Sequence, residues 1–254
     1  MPESAPPAVL SVVIPVYDEL NTWRDLLDRV LAVELPGWRK EIVLVEDGSK
    51  DGTREQLRRF ADAPPDMEGV AFRVLFHERN SGKGAALRTG FAAATGDVVI
   101  IQDADLEYDP ADYPKLIEPV RRGAAEVVYG SRFKASRSRK GYWKNYLANR
   151  LLTGLSNLTT RQGLTDMETC YKCFRREAIQ SVRLEQNRFG FEPEVTAKLS
   201  KLGVRIHEVP ISYDARTHAE GKKIGCRDGL KAIWCILKYG LRSRRRVREE
   251  CGRT

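Results

Sequence analysis

The stretch Val98–Glu107, VVIIQDADLE, sets four consecutive apolar residues just ahead of three acids, Asp103, Asp105 and Glu107. An apolar run without alternation predicts a strand covered on both faces, as in a parallel sheet between helices. The same figure recurs on the amino-terminal side. Leu10 to Val16 is a second such run and ends in Asp18-Glu19. Ile42 to Val45 ends in Glu46-Asp47-Gly48-Ser49, and Phe72 to Phe76 leads to the loop Asn80-Ser81-Gly82-Lys83-Gly84. Between these runs apolar residues fall at helical spacing: Leu20, Trp23, Leu27, Val30 and Leu31, then Leu87, Phe91 and Ala94. Strand and helix alternate, so the first half predicts an α/β fold with a mostly parallel sheet. Ligands of open parallel sheets bind beyond the strand carboxyl ends. Asp18-Glu19, Asp47 and Asp103-Asp105 are therefore expected along one edge.

The second half is less regular. Val127 to Tyr129 predicts a strand ending in Gly130-Ser131-Arg132, followed by a basic loop with Lys134, Arg137, Arg139, Lys140 and Lys144. Helices are expected over Tyr146–Leu155 and Phe191–Leu202, a strand over Val204–Val209, a polar loop over Ile211–Gly225 and a helix at the C-terminus. The expected division is a disordered tail over 1–8, a catalytic domain over 9–225 and a basic amphipathic helix and tail over 226–254.

The chain of 254 residues is long enough for one α/β domain, and its 42% hydrophobic and 31% charged content is that of a globular protein. A formal net charge of +8 suits an anionic partner or simply a basic enzyme. Five cysteines without framework spacing, Cys170 and Cys173 in a lone C-x-x-C among them, predict free thiols in a reducing compartment. His77, His207 and His218 are too scattered to form a metal cluster. Met1 to Pro7 lacks the signature of a signal peptide, and no apolar run reaches the length of a membrane span. A cytoplasmic location is expected.

Asp103, Asp105 and Glu107, at i, i+2 and i+4 past a buried strand, can converge on a hard cation if the chain turns there. Magnesium and manganese take oxygen ligands and are shared with substrate phosphates. The other reading of these residues is a solvated acidic turn before Pro110. Pro15, Tyr17 and Glu19, with Asp47 on the next loop, offer a ring and carboxylates for a nucleobase and ribose; ordinary capping and turn chemistry would use the same residues. Asn80–Gly84 can present backbone N–H groups at a helix start, without P-loop spacing.

Seven segments in order, VIPVYDE (Val13–Glu19), VEDGSKDGT (Val45–Thr53), NSGKGAALRTG (Asn80–Gly90), QDADLEYDP (Gln102–Pro110), VVYGSRF (Val127–Phe133), TDMETCYKCFR (Thr165–Arg175) and VPISYDARTHAEGKKI (Val209–Ile224), resemble glycosyltransferase family 2. The last three look like its dolichol-phosphate-mannose-synthase branch, and the resemblance covers about residues 9 to 230. It implies the GT-A nucleotide-diphospho-sugar transferase fold, a Rossmann-like sheet with helices on both faces, inverting chemistry and bound Mg²⁺ or Mn²⁺. By motif, Pro15, Tyr17, Glu19, Val45, Asp47 and Lys83 would hold the donor nucleotide. Asp103, Ala104 and Asp105 would hold its diphosphate, with Asp103, Asp105 and Glu107 as metal ligands. Arg132, Arg216 and Lys222 match cations around donor and acceptor phosphates, with Lys223 beside them; Lys140, Lys144 and Arg150 are further acceptor-phosphate candidates. Two positions depart from the branch: Glu107 stands where glutamine is common, and Asp18 where asparagine is. Many polyprenyl-phosphate members also carry membrane helices after the catalytic domain, and this sequence shows none.

A nucleotide diphosphate sugar is thus the expected donor, GDP-mannose first and a UDP-sugar second. A polyprenyl phosphate is the expected acceptor, with a soluble hydroxyl acceptor as the alternative. A phosphate acceptor is already a dianion at neutral pH and needs no base. A hydroxyl needs one, and Asp166 or Glu168 is the carboxylate to test. On the last helix Leu230, Ile233, Trp234, Leu237 and Leu241 form an apolar stripe beside Lys231, Lys238, Arg242 and Arg245. That pattern suits either an anionic membrane surface or a helix docked on the domain. Nucleic acid is disfavoured: no recognition motif is present, and acidic strand ends repel phosphates in the absence of a metal.

Overall fold

The computed structural model describes residues 7–134, 143–214 and 226–252. The first half alternates as expected: β1 (Ala8–Val16), α1 (Trp23–Ala32), β2 (Trp38–Glu46), α2 (Thr53–Asp62), β3 (Val70–Phe76), α3 (Lys83–Ala93) and β4 (Val98–Ile101). A 3₁₀ turn at Pro110–Asp112 then leads into α4 (Tyr113–Arg121). The second half comprises β5 (Val127–Ser131), α5 (Trp143–Thr160), β6 (Lys172–Arg175), α6 (Arg176–Gln180), α7 (Phe191–Lys201), β7 (Ile206–Pro210), α8 (Cys226–Gly240) and α9 (Arg244–Glu250). The expected tail lies outside the described residues except at Pro7 and at Ala8, which already opens β1.

Seven strands form one sheet in the order β3-β2-β1-β4-β6-β5-β7. All pairings are parallel except those of β6, which runs antiparallel to both β4 and β5. The chain order reverses about β1, which pairs with β2 on one side and β4 on the other. That reversal is the position at which such sheets open a crevice.

The apolar runs are explained by burial on both sides. Val13, Val43, Val45, Val99 and Ile101 meet Leu87 and Phe91 of α3 and Phe191 of α7. Val12, Ile14, Ile42, Leu44 and Ile100 meet Leu26 and Leu27 of α1, Phe60 of α2 and Leu116 of α4. Each such side chain contributes roughly 1.5–3 kcal/mol on burial, so a charge at any of these positions is excluded.

Helix α8 differs from its sequence reading. Its docked face is Ala232, Cys235, Ile236 and Tyr239, all buried, whereas Leu230, Trp234, Leu237 and Leu241 of the expected stripe are exposed. A polar clamp completes the docking. Glu185 accepts from the Tyr239 hydroxyl at 3.0 Å and pairs with Arg242 at 2.9 Å and with Lys198 at 3.1 Å. Burial works against the Glu185 charge, but these partners hold its carboxyl well below the usual range.

The loop after β2 is shaped by Gly48. Its φ of +75° is one L side chains rarely adopt, and a Cβ there would strike the backbone of Arg79 and Asn80. Gly48→Ala is expected to cost about 1–2 kcal/mol from the backbone angle alone, and more as the loops part. A lowered urea midpoint with an unchanged slope would show this; an unchanged midpoint would contradict it.

Candidate active site

Loops after β1, β2, β4 and β5 and the start of α3 gather at the carboxyl edge of the sheet. The first two are stitched together. Asp18 adopts φ +51°, a left-handed angle that Asp and Asn tolerate better than other non-glycine residues. Its backbone N donates to Ser49 Oγ at 3.0 Å, and its Oδ1 accepts from Lys50 N at 2.8 Å. Glu19 N donates to Thr53 Oγ1 at 3.1 Å. Pro15, Tyr17 and Glu19 are half-buried along this rim.

Asp47 is anchored by the loop that follows β3. It is almost fully buried, and its two oxygens accept from Ser81 N at 2.9 Å and Gly82 N at 2.7 Å. His77 Nδ1 lies 2.6 Å from Oδ1, and its Nε2 lies 2.9 Å from Thr89 Oγ1. Asp47 thereby ties the glycine-rich loop to β2. The Val45 side chain is fully buried in the core against α3, so any contact of this residue with a nucleotide would run through its backbone. Ala104 is likewise buried.

Lys83 opens α3 and lies over the end of β4. Its Nζ is 2.8 Å from Asp103 Oδ1, 2.9 Å from Cys170 Sγ and 3.8 Å from Glu192 Oε1. Burial opposes the Lys83 charge, but Asp103, Cys170 and Glu192 together outweigh it and raise the ammonium well above the usual lysine range. Asp103 is thus neutralised within the chain. Asp105 and Glu107 are half-buried beside it, with Leu106 between them at φ +64°. Asp105 Oδ1 accepts from Glu107 N at 3.2 Å, and Glu107 Oε2 accepts from the Tyr213 hydroxyl at 3.0 Å. Beneath them Gln102 is fully buried and accepts from Tyr113 at 2.8 Å and Tyr171 at 2.6 Å, which fixes the strand end.

Among the described residues no three His, Cys, Asp or Glu side chains converge as a ready-made metal cage. Two neighbouring carboxylates at a strand end are nevertheless hard donors of the kind that holds Mg²⁺ when substrate phosphates and water complete the shell. The donor set fits a cation shared with a diphosphate and does not fit a closed structural site.

Beyond β5, Arg132 grips Asp166 with Nε and Nη2, each at 2.7 Å, and with its backbone N at 3.1 Å. The guanidinium also lies 5.1 Å from the Tyr213 ring. Asp166 is fully buried in this pair, and both its oxygens are engaged by the Arg132 guanidinium. Glu168 differs. Its Oε1 is buried and without a hydrogen-bond partner among the described residues, and burial followed by the nearby Glu192 pushes its pKa up to about 8.

Four residues of this region were not singled out from the sequence: Gln102, Lys172, Glu192 and Tyr213. Lys172 is fully buried on the antiparallel β6, with Nζ donating to Met167 O at 2.8 Å and Thr169 O at 2.7 Å. Glu192 stands, buried, in the first turn of α7, where Glu194 and Lys198 of the same helix are buried too. Cys170 and Cys173 are free thiols, as expected. Lys140, Arg216, Lys222 and Lys223 lie outside the described residues, as does the Lys144 side chain; Arg150 is exposed on α5.

Residues 11–183 match Glycosyl transferase family 2. The chain belongs to that family. It is 33% identical over 214 residues to the undecaprenyl-phosphate 4-deoxy-4-formamido-L-arabinose transferase of Edwardsiella ictaluri, covering 84% of this chain and 62% of that protein. It is 30% identical to the dodecaprenyl-phosphate galacturonate synthase of Rhizobium johnstonii, covering 84% and 61% respectively. To the dolichol-phosphate mannosyltransferase of Pyrococcus furiosus it is 28% identical, covering 91% and 64%. The chain thus spans about three-fifths of the length of these curated relatives. Among solved structures, glucosyl-3-phosphoglycerate synthase of Mycobacterium tuberculosis, in complex with Mn²⁺, UDP and glucosyl-3-phosphoglycerate, superposes with a TM-score of 0.67 at 21% identity, covering 97% of this chain and 81% of that one. The fold of this family 2 chain is GT-A, with β6 as the antiparallel member of its sheet.

The raised Glu168 carboxyl has a consequence for stability. Its folded-state value of about 8 exceeds the ordinary 4.5, so the folded chain binds the proton more tightly. Stability therefore falls as pH rises from about 4.5 to about 8 and levels off above. Glu168→Gln removes this contribution, and the melting temperature of the variant relative to the parent is expected to climb across that window. A difference independent of pH would contradict the assignment.

Proposed function

We propose that the chain transfers a hexosyl group from a nucleotide diphosphate sugar to a polyprenyl phosphate at a membrane surface. The observation that carries this reading is the gathering of Lys83, Asp103, Asp105, Glu107 and Arg132 at one sheet edge of a family 2 fold. Asp105 and Glu107 would hold Mg²⁺ or Mn²⁺, which when bound supplies positive charge to the departing diphosphate. The rim of Pro15, Tyr17 and Glu19 receives the nucleoside, on loops that Ser49, Thr53 and Asp47 keep in place. Lys83 holds Asp103 in register. Arg132, aimed by Asp166, presents its remaining donors to phosphate oxygens. The acceptor phosphate attacks the anomeric carbon from the face opposite the leaving group. Being a dianion near neutral pH, it requires positioning rather than a base. Arg216, Lys222 and Lys223 are the cations proposed to receive it. GDP-mannose and UDP-glucose are the donors to test first.

The surface of the second half supports a lipid-borne acceptor. Among the described residues, all the exposed large apolar side chains except Met67 lie on α5, on α8 or immediately after α8. Leu147, Leu151 and Leu158 on α5, and Leu230, Trp234 and Leu237 on α8 with Leu241 just past its end, fall at spacings of three, four or seven, which is one face of each helix. Their exposure runs from 41% at Leu237 to 79% at Leu158. The two helices pack against each other. Residues 226–254 carry nine Lys or Arg and three Asp or Glu, and residues 143–160 carry two basic residues and no acid. A second copy would set like charge against like, whereas an anionic headgroup layer offers both an apolar margin and countercharge. The occupant proposed for this face is that lipid layer.

A second reading, transfer to a soluble hydroxyl, draws on two observations. No helix among the described residues is long and apolar enough to cross a membrane. Glu168, with a pKa near 8, is also tuned as a base would be. Assay of the same donor with polyprenyl phosphate and with soluble alcohols separates the two readings.

With Mn²⁺ and a matching donor at a hundredfold excess over Kd, the melting temperature is expected to rise by about 5–10 °C. Asp105→Ala should abolish the metal-dependent part and leave the unliganded melting temperature nearly unchanged. Retained turnover in Asp105→Ala would remove the proposed chemistry. In sedimentation at low salt, the chain should pellet with anionic vesicles and not with neutral ones, and Leu151→Glu with Trp234→Glu should release it. Equal pelleting with both vesicles would count against the membrane surface.

A further inference from the structure

The short segment ahead of α7 is pinned from two sides. Glu194 of α7 accepts from Glu185 N at 2.7 Å and Gln186 N at 2.8 Å, and the Gln186 side chain donates to the Tyr239 hydroxyl of α8 at 2.7 Å. On the other side Asn187 O accepts from Ala85 N at 3.1 Å, and Asn187 Oδ1 accepts from Arg88 Nη2 at 2.8 Å. The segment lies so close to the glycine-rich loop that a Cβ on Gly82 or Gly84 would strike the carbonyl of Asn187 or Gln186. The backbone leading into Arg188 is therefore fixed by the chain itself.

The Arg188 side chain, in contrast, is uncommitted. It is exposed and makes no hydrogen bond, ion pair or ring contact among the described residues. Two other guanidinium groups of this edge are engaged, Arg54 on Glu46 at 3.0 Å and Arg132 on Asp166 at 2.7 Å. Two neighbours show where Arg188 stands. Its stem rests on Gly82, where a Cβ would lie 2.6 Å from Arg188 Cγ, and the Gly82 N–H is held by Asp47 after β2. The second neighbour is Tyr17, after β1. Burial, Asp18 and Asp47 push its hydroxyl up, and the positive charge of Arg188 works against them. Asp105 and Arg132 follow β4 and β5, on the other side of β1 in the sheet. Arg188 thus belongs to the half of the edge proposed for the nucleoside, not to the half proposed for the diphosphate.

We propose that Arg188 reads the nucleobase of the donor: its guanidinium donates to a carbonyl oxygen of the base, which admits guanine or uracil and rejects adenine. The inference rests on the donor proposed above. A guanidinium carries donors only, set in a rigid fork. Guanine offers O6 and N7 side by side and matches two of those donors, and uracil, like thymine, offers O4 to one of them. Adenine sets an amino group beside N7, so that donor would face donor. Because the backbone is already ordered, binding costs only the freedom of the side chain.

The test is the Kd of GDP, UDP and ADP, each with Mn²⁺, in the parent, Arg188→Ala and Arg188→Met. The parent should bind GDP or UDP at least tenfold more tightly than ADP. Arg188→Ala should weaken the preferred nucleotide by roughly tenfold or more and leave ADP unchanged, so that the discrimination disappears. Arg188→Met keeps a stem over Gly82 and should behave in the same way, which preserves the test if the alanine variant folds poorly. A preference that survives in Arg188→Met, a loss shared equally by ADP, or a parent that binds ADP as tightly as the other two overturns the role of Arg188 and leaves the donor proposal standing. A parent that binds none of the three overturns the transferase reading, and the role of Arg188 with it.

Discussion

Parallel pairing of β1 with β2 and β4 obliges three distant segments of the chain to end at the same edge of the sheet. Everything chemical in this molecule is built on that edge. Because the strands are buried on both faces, their side chains are spent on packing, and polar function can begin only where each strand stops. The acids at 18–19, 46–47 and 103–107 therefore become neighbours although up to about ninety residues separate them in sequence.

The acids so gathered do different work, and burial decides which. Glu46 and Asp47, sunk beneath the rim, are consumed by backbone amides and by Arg54, and they set the loops in place. Asp103 is balanced by Lys83 and Asp166 by Arg132. Asp105 and Glu107 stay half-buried at the surface of the rim, where a phosphate-bound cation has access. Glu168 and Glu192 lie deeper and retain unpartnered oxygens. One edge thus carries acids that position loops, acids that balance cations and acids that keep oxygens unpartnered.

Much of the first half was legible because parallel strands and their helices leave local marks: unbroken apolar runs, helical spacing, and glycine or acid at the turns. The second half was harder to read for physical reasons. Strand β6 is only four residues long, and its fully buried Lys172 looks like a surface residue until the carbonyls of Met167 and Thr169 are seen to accept from it. Helix α4 contains Pro114 and Pro119, which disguise it. The site was legible as a set of residue types but not as a set of pairings. Nothing local in the sequence tells that Asp166 is held by Arg132, thirty-four positions earlier, or that Asp47 faces the amides of Ser81 and Gly82. The apolar stripe of α8 was read correctly as a stripe, but the helix docks through its neighbouring face, because small and aromatic residues there fit against α7 and Glu185.

The central claim is that a divalent cation joins this edge to a nucleoside diphosphate. Anomalous scattering from Mn²⁺ in crystals grown with GDP or UDP tests it most directly. The account predicts a single strong peak touching the carboxylates of Asp105 and Glu107 and the oxygens of the diphosphate. Manganese bound on another face, or a nucleotide seated away from these two side chains, would contradict it.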